Sequence, residues 1–251
     1  VLLTFNEISE KVEVPMVMEK DVAGQIVLAI DVSASMGLRD VFPSRLEAAK
    51  NILVEFVQNS SENVRFGVVA FEREIEKTLS LTEDKGRVVS AIQNLTAAEG
   101  LPCLEEFTDI GHGLQIPLDI LTPYASSNKS SAIILVSDGF ANYGYPDPFE
   151  SVFQATTRAE SIGVPIYALH IARMGQDSND ELMRQIANET QGKFMDSTSL
   201  EELRNVLNII RKYYVPTHEW SSMIEIKTTI PIRTGLEFAL MFVATGFILA
   251  L

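Results

Sequence analysis

Three oxygen-bearing side chains occur at a spacing of two near the start of the chain. Asp31, Ser33 and Ser35 come directly after the apolar run from residue 24 to residue 30. Because alternate side chains of an extended turn point to the same side, the carboxylate and the two hydroxyls are expected to converge. Hard divalent ions prefer oxygen ligands, whereas softer metals prefer sulfur or imidazole. The triplet therefore predicts part of a site for Mg²⁺ or Mn²⁺.

Two further oxygen side chains, Thr108 and Asp138, could complete this site. Thr108 opens a predicted helix, and Asp138 closes a predicted buried strand and precedes Gly139. Each piece alone has an ordinary explanation, because the hydroxyls could cap helices or turns and Asp138 could belong to a plain turn. Their joint occurrence at the ends of predicted strands and at a helix start favours a shared metal site.

An alternation of apolar strands and amphipathic helices fills the middle of the chain. The run at 24–30 is continuously apolar, as expected for a strand that is covered on both faces. Strands at 63–71 and 74–80 are too close for a helical crossover and must pair antiparallel. The other predicted elements are helices at 43–57, 85–95, 109–124, 149–162, 180–190 and 200–213, and strands at 131–137, 165–171 and 193–196. The pattern predicts an α/β fold with a doubly wound, mostly parallel sheet and one antiparallel edge strand, whose ligands bind beyond the carboxyl ends of the strands.

The aromatic residues are assigned to packing rather than to chemistry. Phe66, Phe71 and Phe153 fit the strand and helix patterns and are predicted to lie in the core. Trp220 lies between the domain and the final apolar run, where it is either a core residue or, as we favour, an anchor at a membrane interface.

The apolar run at the end of the given sequence predicts a membrane anchor. From residue 234 to residue 251 the only charged residue is Glu237. At about 1.5 Å per residue this stretch spans roughly 27 Å, slightly less than the roughly 30 Å hydrocarbon core of a bilayer. A buried core helix is the alternative, although such a helix usually keeps a polar stripe. The predicted organisation is an extended flank (1–20), an α/β domain (21–215), a connector (216–233) and a shortened transmembrane helix (234–251), with the side of the membrane left open.

The charge balance limits the classes of partner. The chain has 20 Lys and Arg residues against 34 Asp and Glu residues, which gives a net charge of −14. Nucleic-acid binding needs concentrated basic residues that displace counterions, so we exclude that class. The single cysteine, Cys103, excludes an intramolecular disulfide and a thiolate metal cage. Partners are expected to be basic or to be bridged by a cation.

The order of the five candidate ligands resembles the metal ion-dependent adhesion site of von Willebrand factor A (vWA) domains. The resemblance covers about residues 20 to 213 and is carried by Asp31-x-Ser33-x-Ser35, Thr108-x-x-Gly111 and Asp138-Gly139. It implies that the three hydroxyls bind the ion and that the two aspartates bind it directly or through waters. It also implies that an Asp or Glu of a partner protein supplies the last ligand. Neutral hydroxyls leave the charge of the ion undercompensated, which is consistent with such a ligand.

A narrower resemblance is to bacterial and archaeal BatA-like proteins, which have a vWA domain next to a membrane segment. It implies a membrane-anchored protein that acts as an adaptor of a MoxR-type AAA+ ATPase. Common vWA domains often have glycines just before the position of Thr108, whereas this sequence has Glu105 and Glu106 there. These two carboxylates could compete for the ion and close the site, or they could be solvated loop residues.

Rival functions are an enzyme and a structural vWA domain with a silent metal site. A phosphatase of the haloacid dehalogenase type needs a second carboxylate two residues after its strand-end aspartate. Here Ser33 occupies that position after Asp31, which argues against such an enzyme. A serine hydrolase needs a histidine base, for which His112 could lie near the site. Gly111 and Gly113 do not form a dinucleotide fingerprint, because Ile116 occupies the third glycine position. We therefore predict a binding domain and not an enzyme.

Overall fold

The chain divides into two units, which are seen in a computed structural model. The structure describes residues 5–12, 24–98, 107–125, 130–172, 179–196 and 224–231. One unit contains strands β1 (Phe5–Val12) and β8 (Ile224–Pro231), which pair antiparallel. The other unit is an α/β domain. Its elements are β2 (Gly24–Asp31), a 3₁₀ helix (Ala34–Gly37), α1 (Arg45–Asn59), β3 (Val64–Phe71), β4 (Ile75–Thr82), α2 (Lys85–Gln93), α3 (Ile110–Ala125), β5 (Ser130–Ser137), α4 (Pro148–Ser161), β6 (Ile166–His170), α5 (Asp180–Glu189) and β7 (Phe194–Asp196).

Six strands form the sheet of the α/β domain, in the order β4-β3-β2-β5-β6-β7. β3 and β4 pair antiparallel, and all other neighbours pair parallel. The prediction of a mostly parallel sheet with one antiparallel edge strand is therefore confirmed. The strand order reverses between β2 and β5, and open α/β sheets bind ligands at such a point, beyond the carboxyl ends of the strands.

Two layers of helices bury the two faces of this sheet. One apolar cluster joins the sheet to α1 and α2 through residues such as Leu46, Leu53 and Ile92. The other joins it to α3, α4 and α5 through residues such as Leu114 and Met183. Because helices cover both faces, every residue of β2 is buried, as its continuous apolar run predicts.

Three helices that follow parallel strands begin at side-chain caps. Ser44 accepts a hydrogen bond from the backbone N–H of Glu47 at the start of α1. Asp147 and Asn179 have the same role for α4 and α5. Helices that follow parallel strands start at the carboxyl edge of the sheet, so their partly positive N-termini lie at the edge where the candidate ligands are expected.

The predicted core placement is confirmed for two of the three phenylalanines. Phe66 and Phe71 are fully buried in β3. Phe153 is 55% exposed on α4, so its predicted core position is wrong. The buried stripe of α4 contains Val152 and Ala155, and Phe153 is one residue, or about 100°, around the helix from Val152.

Strands β1 and β8 lie in the regions predicted as the extended flank and the connector. Phe5 is opposite Pro231 in their ladder. The helices predicted at 200–213 and 234–251, together with Trp220, lie outside the described residues. In the part of the chain that the structure describes, none of the helices combines the length and apolar character that crossing a membrane requires.

The close approach of α3 to β3 gives a test of the packing. A Cβ atom on Gly113 would lie 2.5–2.7 Å from ring atoms of Phe71. We expect Gly113→Ala to lower the free energy of unfolding by about 1–3 kcal/mol, as overpacking does. Gly86→Ala is the control, because Gly86 is exposed in α2 and alanine is the better helix former. Urea unfolding measures both changes, and equal stabilities of Gly113→Ala and the parent would contradict the packing.

Candidate metal centre

The candidate ligands Asp31 and Asp138 follow neighbouring strands at the carboxyl edge of the sheet. Ile30 of β2 is opposite Val136 of β5 in a parallel ladder. Ser137 connects the two strand ends, because its hydroxyl donates a 2.6 Å hydrogen bond to Oδ2 of Asp31. The predicted convergence of these two segments is therefore observed.

Asp31 places a carboxylate in a fully buried position. Its Oδ1 accepts a 2.9 Å hydrogen bond from the backbone N–H of Ser33, and its Oδ2 accepts the bond from Ser137. Burial, and secondarily the nearby carboxylate of Asp138, raises the pKa of Asp31 from 3.8 to about 7, although the hydrogen bonds from Ser137 and Ser33 oppose this shift. Burial and the charge of Asp138 thus destabilise the ionised form of Asp31, and a cation bound beside it would stabilise that form.

The hydroxyls of Ser33 and Ser35 face each other beside this carboxylate. Their oxygen atoms are 3.1 Å apart, and the two residues are 1% and 4% exposed. Ser33 precedes the 3₁₀ helix as its N-cap residue, but its side chain makes no capping hydrogen bond. The capping explanation for Ser33 is therefore wrong, and its hydroxyl is directed to Ser35.

Thr108 is buried immediately before α3. Its backbone N–H donates a 2.8 Å hydrogen bond to Oδ1 of Asn142, and its carbonyl accepts from the N–H groups of Asn142 and Tyr143. The cap of α3 is Asp109, whose Oδ1 accepts from the N–H of His112. The side chain of Thr108 is thus not needed as a cap, and its backbone is bound to the loop that follows Asp138.

Arg45 is a residue of this centre that the sequence analysis missed. Its side chain is completely buried, and Nη1 donates a 2.7 Å hydrogen bond to Oδ2 of Asp138. Nε and Nη2 donate to the two carboxylate oxygens of Asp40 at 2.9 and 3.0 Å. One feature of the sequence could have identified Arg45. It is a cationic residue in the first turn of a helix, where the helix dipole disfavours positive charge unless a carboxylate is near.

Both carboxylate oxygens of Asp138 are already engaged. Oδ2 binds Arg45, and Oδ1 accepts a 3.1 Å hydrogen bond from the N–H of Phe140. Asp40 and Asp138 bind the same guanidinium, and the carboxylate of Asp31 lies near that of Asp138. When all four groups are ionised, three negative charges and one positive charge leave two negative charges. A divalent cation matches this residual charge.

The turn after Asp138 requires glycine. Gly139 has a φ of +78°, and a Cβ atom there would collide with the carbonyl of Asn179. The N–H of Asn179 donates a 3.0 Å hydrogen bond to the carbonyl of Asp138. Asn179 also caps α5, so this turn connects the candidate centre to the start of that helix.

The donor set fits a hard cation better than a soft one. It consists of two carboxylates and three hydroxyls, which suit Mg²⁺ or Mn²⁺. Among the described residues, no three His, Cys, Asp or Glu side chains are grouped so that they could bind a metal by themselves. The predicted ligand set therefore depends on the hydroxyls of Ser33, Ser35 and Thr108 as well as on the two aspartates. Glu105 and Glu106, the possible competitors, lie outside the described residues.

Comparison with known proteins identifies the family of the α/β domain. Residues 26–140 match the family model of the von Willebrand factor type A domain. Over residues 26–140, the α/β domain is of the vWA type. The matched region begins in β2 and ends just after Asp138, so it includes all five candidate ligands of this vWA domain.

Relatives and solved structures agree with this assignment. A UPF0353 protein of Nocardia farcinica is 28% identical over 216 residues, which are 74% of this chain and 62% of that protein. The chain thus spans less than two thirds of the length of this relative. The structure of BatB from Bacteroides thetaiotaomicron has a TM-score of 0.62 at 21% identity and covers 76% of this chain and 98% of that one. An aerotolerance-related membrane protein from Bacteroides fragilis has a TM-score of 0.58 at 21% identity and covers 74% and 99%.

The raised pKa of Asp31 predicts a pH-dependent stability of the vWA domain in EDTA. Between pH 3.8 and about 7 the folded protein keeps a proton that the unfolded chain has released. The contribution of this protonation is complete below pH 3.8 and is lost as the pH rises through about 7. We expect the unfolding free energy of the parent to fall with rising pH relative to Asp31→Asn, measured by urea unfolding at several pH values. Parallel curves for the two proteins would contradict the assignment.

The ion pair of Arg45 predicts a large loss of stability on its removal. Arg45→Met leaves the buried carboxylate of Asp138 without its cationic partner, which costs about 3–5 kcal/mol. Arg65→Met is the control, because Arg65 and Glu83 form a pair in which each side chain is more than a third exposed. Such a pair contributes about 0–1 kcal/mol. Urea unfolding in EDTA should separate the two variants, and similar small losses for both would show that the Arg45 pair is unimportant.

Proposed function

We propose that the vWA domain binds a partner protein through a divalent cation. The cation, Mg²⁺ or Mn²⁺, would be bound by the side chains of Asp31, Ser33, Ser35, Thr108 and Asp138, and an Asp or Glu of the partner would complete its coordination. The observation that carries the proposal is the buried carboxylate of Asp31 beside two hydroxyl oxygens that are 3.1 Å apart. Carboxylate and hydroxyl oxygens of this kind are suitable ligands for a hard ion.

The contacts of Asp138 support a role for an external acid. Each carboxylate oxygen of Asp138 accepts one hydrogen bond, from Arg45 or from Phe140, so Asp138 shares its negative charge between the guanidinium and the ion. The hydroxyls of Ser33, Ser35 and Thr108 contribute no charge. An ion bound in this way keeps part of its positive charge, which favours a carboxylate from the partner.

The wider context of this proposal is a membrane-anchored adaptor. The similarity to an aerotolerance-related membrane protein supports a membrane location, which the apolar run at 234–251 would provide. A MoxR-type AAA+ ATPase is one candidate for the acidic partner, and it rests on the family resemblance alone. The partner and the side of the membrane are therefore open to experiment.

We further propose that the domain is not an enzyme. A carboxylate is missing at the position of Ser33, where a phosphatase of the haloacid dehalogenase type needs one. His112 lies in the first turn of α3, where its backbone N–H donates a hydrogen bond to the capping side chain of Asp109. Turnover of a phosphate ester that persists in Ser33→Ala would favour an enzyme over a binding domain. A vWA domain that binds no metal would favour the alternative of a structural domain with a silent metal site.

Metal titration tests the proposed ligands. We expect calorimetry to detect Mn²⁺ binding to the parent chain and at least about tenfold weaker binding to Ser33→Ala and Thr108→Ala, since loss of even an outer partner of a metal ligand costs about 10–100-fold. Ser161→Ala is the control, because Ser161 is an exposed hydroxyl at the end of α4 that bonds to the carbonyl of Arg158.

Two results of this titration would contradict the proposal. Equal heats for the parent and for all three variants would show that the hydroxyls do not bind the ion. An absence of heat in the parent would support the silent site. A pull-down from native membranes in Mg²⁺, repeated in EDTA and with Asp31→Ala, then tests whether capture of a partner depends on the metal.

A further inference from the structure

Large apolar side chains are exposed on the loops that contain the candidate ligands. Within the described ranges, the exposed large apolar residues are Phe42, Phe107, Phe140, Tyr145, Phe149 and Phe153. Three of them, Phe42, Phe107 and Phe140, are 90%, 40% and 42% exposed and lie on three different loops at the carboxyl edge of the sheet. We call these three residues the aromatic rim. Exposed rings on each loop of one site are unfavourable in water and indicate an interaction surface.

Two members of the aromatic rim are adjacent to candidate ligands. Phe140 donates its N–H to Oδ1 of Asp138 at 3.1 Å, so its position is fixed relative to that carboxylate. Phe107 directly precedes Thr108, which is buried and bonded to Asn142 of the same loop as Phe140. Phe107 and Phe140 are thus adjacent to ligand residues along the chain, in two segments joined by a hydrogen bond.

The third member is connected to the site through Arg45. Phe42 lies in the loop between the 3₁₀ helix and α1, two residues after Asp40. Asp40 accepts two hydrogen bonds from the guanidinium of Arg45, which also binds Asp138. In addition, the N–H of Arg45 donates a 2.9 Å hydrogen bond to the carbonyl of Leu38. The loop that exposes Phe42 is therefore tied to the same carboxylate as Phe140.

The side chain of Arg73 packs against one side of the aromatic rim. The guanidinium of Arg73 lies 5.4 Å from the ring centre of Phe107 and 4.7 Å from that of Tyr143. The two rings are 5.5 Å apart in an edge-to-face arrangement. An ordered ring beside a guanidinium is a surface that can receive an apolar side chain and a neighbouring carboxylate together.

We infer that the partner presents its metal-binding carboxylate beside an aromatic or large aliphatic side chain, which packs on the aromatic rim. This inference rests on the proposed function and specifies its partner. Charge complementarity selects the occupant, because the bound cation and Arg73 attract an acid while the rings bury an apolar group. The carboxylate gives dependence on the metal, and the apolar neighbour distinguishes one acidic segment from another.

Peptide selection tests this inference with a defined probe. A random twelve-residue library displayed on phage is selected on the parent chain in Mg²⁺ and eluted with EDTA. We expect the recovered peptides to contain an Asp or Glu with an aromatic or large aliphatic residue within two positions. A synthetic copy should lose binding in EDTA or on Asp→Asn (Glu→Gln), and should bind about tenfold more weakly when its apolar neighbour is replaced by serine, as expected for an anchor residue.

Variants of the aromatic rim locate the contact. Phe42→Ser and Phe140→Ser should each weaken the peptide about tenfold, as for loss of an anchor residue. Phe153→Ser should leave its affinity unchanged. Phe153 is a matched control because it is 55% exposed and lines a groove between α4 and α5 that contains none of the candidate ligands. Unchanged melting temperatures would show that all three variants fold.

The possible failures are distinguishable. Peptides that depend on Mg²⁺ but show no apolar preference and bind the Phe42 and Phe140 variants normally would overturn the inference and leave the proposed function in place. Failure to recover any EDTA-sensitive peptide would overturn both. Sedimentation with phosphatidylcholine–phosphatidylglycerol vesicles that is lost in Phe42→Ser and Phe140→Ser would assign the aromatic rim to a membrane and overturn the protein partner.

Discussion

The buried ion pair between Arg45 and Asp138 is the constraint on which the candidate centre depends. Placing carboxylates at the switch point of the sheet is unfavourable unless their charge is balanced. The guanidinium offsets part of that charge with three short hydrogen bonds to Asp40 and Asp138. It also fixes the orientation of Asp138 and the loop before α1. Because Arg45 neutralises only part of the negative charge of these carboxylates, an exchangeable metal cation can be bound in addition.

The fold explains why residues from distant parts of the chain meet at this point. The carboxyl ends of the parallel strands lie at one edge of the sheet. β2 and β5 are neighbours there, although two strands, three α-helices and a 3₁₀ helix separate them along the chain. Ser137 then connects Asp31 to the turn at Gly139, because it donates to the former and accepts from the N–H of the latter. The protonation of Asp31 and the shape of the loop with Asp138 are therefore coupled through one hydroxyl.

The sequence was sufficient for the sheet, but not for the surroundings of the candidate ligands. Strand and helix periods predicted the mostly parallel sheet, and the spacing of Asp31, Ser33 and Ser35 predicted that their side chains converge. Arg45 was missed because its partner Asp138 is 93 residues away, and such a pair leaves no local pattern. Phe153 was misplaced because composition does not fix the rotation of a helix to within one residue. The ligand role of the five side chains stays a prediction.

The left-handed turn at Gly139 restricts how this region can evolve. Any other residue there would meet both an unfavourable backbone angle and the carbonyl of Asn179. Relieving that collision would pull the start of α5 away from the carbonyl of Asp138, which accepts from the N–H of Asn179. Substitution is therefore disfavoured at Gly139, whereas Phe42 is 90% exposed and can change without such a collision. Under the proposed function, changes at Phe42 would alter which partner binds while the scaffold stays the same.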